Sequence, residues 1–326
     1  MLRFYLGLDV GATKTHALIA DEAGRAVGFG EAGPGNPENV GYSGLTAVVT
    51  AALDRALQSA STTRGHIAGA GFGIAGYDWP SQRSMTLGAL EPLGLTAPVE
   101  IVNDTLLGLL AGTSEGWGVA VVAGTGCNCR GWDRNRREGR VTGLGSRFGE
   151  AAGAAELVAA ALRGVAYEWS RRGPATRLSS AFMELDGARD LDDLVEGLST
   201  GRYHIDAEAA PTVFRLAAEG DGVALDTLRW AGRELGAMAV GVIRQLDFES
   251  LDFDVVLVGG LFDGGSLLTD PLRETVRAVA PRARFVRLDV PPVVGGVLLG
   301  MEQAGATPSE TVREALRQSV LSLVSP

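Results

Sequence analysis

The chain has 326 residues, 46% of them hydrophobic and 21% charged, which describes a soluble globular protein long enough for two cores. Its formal net charge of −10 excludes a broad footprint on the phosphate backbone of a nucleic acid. No apolar stretch reaches membrane-spanning length, and Asp9 and Lys14 interrupt the first apolar run too early for a signal peptide, so a cytoplasmic protein is expected.

The first informative stretch is Leu6-Gly7-Leu8-Asp9-Val10-Gly11-Ala12-Thr13-Lys14-Thr15. An apolar run ends in a carboxylate, turns through Gly11-Ala12-Thr13 and resumes as His16-Ala17-Leu18-Ile19, which predicts a β-hairpin. The turn reads either as a plain tight turn or as a nest of unshielded amides for phosphate oxygens. In the second case Asp9 repels the phosphate unless Mg2+, which takes one or two carboxylates together with phosphate oxygens, lies between them. Ala32 to Asn39 reads as a loop, in which Asn36 is part of a solvated turn or, held by Pro37, presents its amide to a polyol. Leu45, Val48, Val49, Ala52, Leu53, Ala56 and Leu57 recur at helical spacing.

Ile67 to Ile74 predicts a strand running into Gly71-Phe72-Gly73-Ile74-Ala75-Gly76, a G-x-G-x-x-G match. The dinucleotide reading needs those glycines to open a helix directly, yet Tyr77-Asp78-Trp79-Pro80 follows as a loop and a helix begins only near Ser81. The glycines are therefore expected to admit a close approach of backbone or ligand. A strand from Val99 ends in Asn103-Asp104, and a helix over Thr105 to Ala111 begins at once. Asp104 caps that helix, or offers a carboxylate to a ligand at the carboxyl end of the strand, or does both.

Gly112 to Gly116 is flexible in composition and marks a domain boundary. A second hairpin follows: an apolar strand from Trp117, the turn Gly124-Thr125-Gly126, and a strand from Cys127. Two such hairpins predict a repeat of architecture, not of residues, with two similar domains clasping one polyphosphate. Cys127 and Cys129, the two cysteines, read as reduced and packed. Asp133 to Arg140 reads as a solvated loop. Gly143 to Glu150 is glycine-rich and leads into a helix starting near Ala151; Glu150 either favours the helix dipole or reaches a substrate hydroxyl.

Residues 151–247 read almost wholly helical, with breaks at Gly173-Pro174 and Ser199-Thr200-Gly201 and a long helix over about 222–245. The strand Val255 to Val258 meets Gly259-Gly260, a tight turn or a bare surface for a flat ring or a sugar-phosphate edge. Asp270-Pro271 predicts the cap and first residue of a helix. Phe285 to Leu288 is the last strand, Pro291-Pro292 opens a helix through Met301, and Ser309 to Leu323 forms a terminal helix. The order predicts an α/β fold of two related domains with a cleft. The first domain is residues 1–112, completed by the C-terminal helix 309–326; the second is residues 113–308 with a helical insertion at about 151–247. No G-x-x-x-x-G-K-[ST] occurs, which excludes a P-loop.

Asp9-x-Gly11-x-Thr13, Asn103-Asp104, Gly124-Thr125-Gly126-x-Asn128-Cys129 and Val258-Gly259-Gly260 together resemble the actin/hexokinase-like (ribonuclease H-like) ATPase superfamily. Within it the chain is similar to N-acetylglucosamine kinase and its relatives, the BadF/BadG/BcrA/BcrD-type ATPases, over about residues 3 to 304. The resemblance implies ATP and Mg2+ as cofactors and transfer of the γ-phosphoryl group to a hydroxyl of a hexose or amino sugar. A homodimer is left open. It implies that Gly11, Ala12 and Thr13 form the first phosphate loop, that Gly124, Thr125 and Gly126 form the second, and that Asp9 holds Mg2+ through water. Gly259 and Gly260 would lie along the adenosine, and Asp104 would be the base. Asn36, Asn128, Gly143, Leu144 and Glu150 would face the sugar. Cys127 stands where the sugar kinase has Ser, Leu144 where it has Trp, and Glu150-Ala151-Ala152-Gly153 where it has Asp-Glu-Gly-Ser, while Ala75 lacks a hydroxyl; all four departures fall on the sugar side. Two other roles occur or are conceivable on such a fold: an ATPase that activates a partner enzyme, which calls for a cysteine-ligated iron–sulfur cluster, and a non-catalytic sugar sensor.

Overall fold

The computed structural model describes residues 3–324; residues 1–2 and 325–326, the outermost positions of the expected first domain and terminal helix, lie outside the described residues. Two five-stranded sheets carry the fold. The first is built from β1 (Phe4–Val10), β2 (Thr15–Asp21), β3 (Ala26–Ala32), β4 (Ile67–Ile74) and β5 (Val99–Val102), in the order β3-β2-β1-β4-β5. β1 to β3 form an antiparallel meander, whereas β4 adds parallel to β1 and β5 parallel to β4. The second sheet holds β6 (Gly118–Ala123), β7 (Cys127–Trp132), β8 (Glu138–Val141), β9 (Asp254–Val258) and β10 (Arg284–Arg287), in the order β10-β9-β6-β7-β8. Each sheet thus sets the next two strands in sequence on one side of its first strand and two later ones on the other, so the expected repeat of architecture is present in the strand order.

Three expectations about elements are corrected. β3 was not foreseen; its Gly28 and Gly30 dilute the apolar pattern because helix α1 (Pro37–Ser59) crosses there, and a Cβ on Gly30 would lie 2.2 Å from the Ala52 carbonyl oxygen. α1 also begins inside the segment expected to be a loop, with Asn36 as its cap and a break at Gly41, whose φ is +68°. The Arg-rich stretch is not all loop, since its end forms β8, where Glu138 pairs with the buried Arg130 of β7.

The helices α2 (Arg83–Leu90) and α3 (Asp104–Gly112) belong to the first half of the chain. The insertion between β8 and β9 comprises α4 (Ala154–Trp169), α5 (Arg177–Asp186), α6 (Leu191–Thr200), α7 (Ala210–Ala218) and α8 (Gly222–Gln245). α9 (Ser266–Arg277), α10 (Val293–Gln303) and α11 (Glu310–Val324) complete the chain. Asp270-Pro271 does not start a helix: α9 begins at Ser266, and Pro271 lies inside it against Gly232 of α8.

By contacts the chain forms two compact units. The first runs to Ala120 and takes in Gly131–Arg137 and the chain from Val286; the second comprises Val121–Arg130 and Glu138–Phe285. α10, placed with the second half by its position in the sequence, therefore belongs to the first unit, and glycines explain why. It lies across β1 and β4 with almost no side chains between: a Cβ on Gly7 would come 2.5 Å from the Val293 carbonyl oxygen, one on Gly71 2.4 Å from that of Gly296, and one on Gly69 2.1 Å from that of Gly300. The Gly-x-Gly of β4 thus serves backbone packing. On the opposite face of the sheet from this seam Leu6, Leu8, Phe72 and Ile74 pack with Leu45 and Leu53 of α1 in the fully buried core of the first unit.

Candidate active site

In the first unit, β1 and β2 form the expected hairpin, with Asp9 directly opposite His16. The Gly11 amide donates to the Lys14 carbonyl (2.9 Å) and the Gly11 carbonyl accepts from Gly35 (3.0 Å), so Gly11 closes the turn while Ala12, Thr13 and Lys14 are exposed. Asp9 is the register partner of Gly73 on β4, and a Cβ on Gly73 would lie 3.0 Å from the Cα of Asp104. Absence of a side chain at Gly73 is therefore what lets the start of α3 approach the end of β1. The two carboxylates feel each other: burial first and the Asp104 charge second push Asp9 from its ordinary 3.8 up to about 7, while Lys14 pulls the other way.

Asn103, not Asp104, caps α3. Its Oδ1 accepts the Thr105 amide at 3.1 Å, and Asp104, the first residue of the helix, accepts the same amide at 3.0 Å. Asn36 likewise caps α1, with Oδ1 accepting from Glu38 (2.9 Å). It sits against Gly76, where a Cβ would come 2.4 Å from Asn36 Oδ1 and φ is +76°, a position where glycine is strongly favoured. The structure thus places Asp9 at the end of β1, Asn36 at the cap of α1 and Asp104 at the start of α3, all in one unit.

In the second unit the Gly124 amide closes its own turn onto the Gly126 carbonyl (2.9 Å). The carbonyls of Gly124 and Thr125 are taken by the amides of Ala154 (2.9 Å) and Ala155 (3.1 Å), the first residues of α4. In a trans peptide the N–H points opposite to the C=O, so these two bonds turn the Thr125 and Gly126 amides away from α4. A Cβ on Gly124 or Gly126 would meet nothing within 4 Å, leaving both glycines open. The helix itself is expected near Ala151 and begins at Ala154, with Glu156 capping the Gly153 amide (3.0 Å); what the sequence does not show is that its first amides bond this turn.

Gly259 behaves differently from Gly260. With φ at +107° it packs on the Ala123 carbonyl, 2.3 Å from where its Cβ would be, whereas Gly260 is exposed. Glu150 does not start a helix; its Oε2 accepts the Leu144 amide (2.5 Å) and so clamps the loop from Gly143. Gly143, φ +75°, lies against the Cys127 carbonyl, 2.1 Å from where a Cβ would be, and Leu144 is exposed. Cys127 Sγ accepts the Ala152 amide (3.3 Å) and faces the Glu150 carbonyl (3.7 Å), tying this loop to β7. Asn128, on the other face of the strand, is half-buried.

The residues present fit a nucleotide with magnesium. A buried carboxylate raised to about 7 by desolvation and by the Asp104 charge would gain from a cation beside it, and the open glycine faces leave room for phosphate oxygens. Among the described residues no three His, Cys, Asp or Glu cluster to hold a metal, so a magnesium ion held by Asp9 would need most of its ligands from phosphate and water. Both cysteines are free and buried, and burial pushes the Cys127 thiol up to about 11 and Cys129 further, which suits packing better than cluster ligation. No described helix is long and apolar enough to cross a membrane.

The model of the BadF/BadG/BcrA/BcrD ATPase family matches residues 6–300. The N-acetylmuramic acid/N-acetylglucosamine kinase of Clostridium acetobutylicum is 22% identical over 305 residues, covering 93% of this chain and 99% of that protein. The N-acetyl-D-glucosamine kinase of Dictyostelium discoideum is 24% identical over 310 residues, covering 91% and 97%. A crystal structure from Chromobacterium violaceum, provisionally described as an N-acetylglucosamine kinase, shares the fold with a TM-score of 0.69 at 23% identity, covering 91% of this chain and 98% of that one.

Proposed function

The chain belongs to the BadF/BadG/BcrA/BcrD ATPase family, and from that premise we propose that it is an ATP-dependent kinase of a hexose or amino sugar of the N-acetylglucosamine kind. The observation that carries the reading is the coupled carboxylate pair, Asp9 at the end of β1 and Asp104 at the start of α3, two strands apart in one sheet. Phosphoryl transfer asks a protein mainly for positioning and charge neutralisation, with one base on the nucleophile. The amides of Ala12 and Thr13, and those of Thr125 and Gly126, are each proposed to take phosphate oxygens, with Gly11 and Gly124 closing the two turns and Gly260, set by Gly259, along the adenosine. Asp9 would hold magnesium through water; when bound, the ion neutralises phosphate charge.

Asp104, oriented by the Thr105 amide, takes the proton of the attacking sugar hydroxyl as its oxygen bonds to the γ-phosphorus and the bond to the ADP oxygen breaks. Asn36 and Asn128, with Gly143 and Leu144 on the loop that Glu150 clamps, are proposed to place the sugar. The cytoplasm, where ATP is available, is the proposed location.

The test is an ADP-release screen over hexoses and amino sugars, followed by Asp104→Asn. We expect sugar-dependent turnover in the parent and a loss of at least about 10²-fold in the variant, with ATP affinity nearly unchanged. Turnover of Asp104→Asn near the parent rate would remove Asp104 from the role of base.

A further inference from the structure

We propose that Asp78 is a positioning residue for the transfer reaction, acting through Asn103 on the base Asp104. The inference rests on the kinase reading above. Asp78 is buried, 8% exposed, on the loop after Gly76, and its Oδ1 accepts a hydrogen bond from Asn103 Nδ2 at 3.1 Å; the Tyr77 carbonyl accepts from the same nitrogen at 3.4 Å. The other end of that amide, Oδ1, accepts the Thr105 N–H at 3.1 Å.

A carboxylate and a carbonyl only accept, and a backbone N–H only donates. Together they leave one orientation for the Asn103 amide: nitrogen toward Asp78, oxygen toward the helix. The loop carrying Asp78 is itself pinned, because Gln82 Oε1 accepts the amides of Asp78 and Trp79, each at 2.8 Å. A continuous set of bonds therefore runs from Gln82 through Asp78 and Asn103 to the first turn of α3.

The consequence for chemistry lies at Thr105. Its single N–H is shared between Asn103 Oδ1 (3.1 Å) and Asp104 Oδ1 (3.0 Å). With Asn103 held, part of that donor is spent on the cap. With Asn103 released, the cap is lost and the helix start that aims the base loosens; the Thr105 N–H, left with the Asp104 carboxylate alone, draws one oxygen of the base onto the backbone and opens to solvent more often. Asp78 thus acts on rate through Asn103, by fixing where the base points.

The experiment compares Asp78→Ala, Asp78→Asn, Asn103→Ala and the Asp78→Ala/Asn103→Ala double variant with the parent. It reads kcat, KM for ATP and sugar, and hydrogen exchange of the Thr105 amide. Asp78→Ala is expected to lower kcat about 10²-fold with KM for ATP within about 2-fold, the scale of a misplaced reacting group. Asp78→Asn keeps an oxygen for Asn103 Nδ2 and should stay within about 5-fold of the parent. Asn103→Ala should match Asp78→Ala, and the double variant should lose nothing further, because both act through one contact. The Thr105 amide should exchange about 5-fold faster in Asp78→Ala, as loss of a helix cap implies.

Parent-like kcat in Asp78→Ala, or additive losses in the double variant, overturns the proposal. An Asp78→Asn loss as deep as that of Asp78→Ala also overturns it, since the charge itself would then act directly. If the parent phosphorylates no sugar, the kinase reading fails and the exchange measurement alone decides: unchanged Thr105 exchange in Asp78→Ala refutes the positioning role.

Discussion

Asp9 offers the sharpest test of the site's electrostatics. Its folded-state value of about 7 lies above the ordinary 3.8, so between those two pH values the folded chain holds a proton that the unfolded chain releases. Stability is therefore fully present below about 3.8, is lost as pH rises through the window, and levels off above about 7. The interval is roughly three pH units at about 1.4 kcal/mol each, an upper bound of about 4 kcal/mol of strain in the nucleotide-free protein near pH 8. Asp9→Asn keeps the shape and removes the charge. In metal-free buffer it should melt several degrees above the parent near pH 8, at about 2–4 °C per kcal/mol for a body of this size. Near pH 4 the two proteins should melt together, and at every pH the variant should lack kinase turnover. Calorimetric melts at about pH 4, 6 and 8, with EDTA present, give the answer. An Asp9→Asn protein no more stable than the parent near pH 8, or a gain that persists near pH 4, refutes the raised Asp9 value that burial first and the Asp104 charge second produce.

Two further outcomes are expected. Lys14 is exposed on the first turn and its charge acts on Asp9 and His16, so Lys14→Ala should raise KM for ATP roughly 3- to 10-fold, about 1 kcal/mol, with turnover at saturating ATP within about 2-fold; an unchanged KM in steady-state assays would detach Lys14 from the phosphates. Arg313, buried on α11, donates from one guanidinium nitrogen to the Leu110 and Thr113 carbonyls (3.3 Å each) at the far end of α3, so Arg313→Ala should cost about 1–3 kcal/mol in urea unfolding, and a loss below about 0.5 kcal/mol would discount that anchor.

Much of the first unit was legible because its signals are local. The hairpin at Asp9 alternates apolar run, turn and apolar run, and β4 ends where its glycines end. Where the reading failed, distant packing had replaced local preference. β3 carries Gly28 and Gly30 because α1 crosses it, which no window of sequence around residue 28 displays. β8 was hidden by its charges, which an edge strand tolerates on its solvent side. For Asp104 the sequence leaves open a cap, a carboxylate offered to a ligand, or both; the neighbouring Asn103 supplies the cap and leaves the carboxylate at the first helical position. Glu150 was expected at a helix start, and only the fold shows that its carboxylate closes the loop three residues short of α4. The orientation of the Thr125 and Gly126 amides was invisible for the same reason, since it depends on α4 reaching back to the turn.

The glycine seam under α10 has a mechanical consequence. Where helix and sheet touch through main chain at Gly7, Gly69, Gly71, Gly296 and Gly300, no rotamers remain to be rearranged. A layer of interlocking leucines can yield by small torsional adjustments; bare peptide groups in contact cannot. The strands bearing Asp9 and Gly73, together with this helix, therefore form a stiff plate. Thermal agitation that reshuffles apolar side chains elsewhere leaves the spacing of these two strands unaltered. Even a methyl group at one of these positions would wedge the plate apart, although it adds no charge.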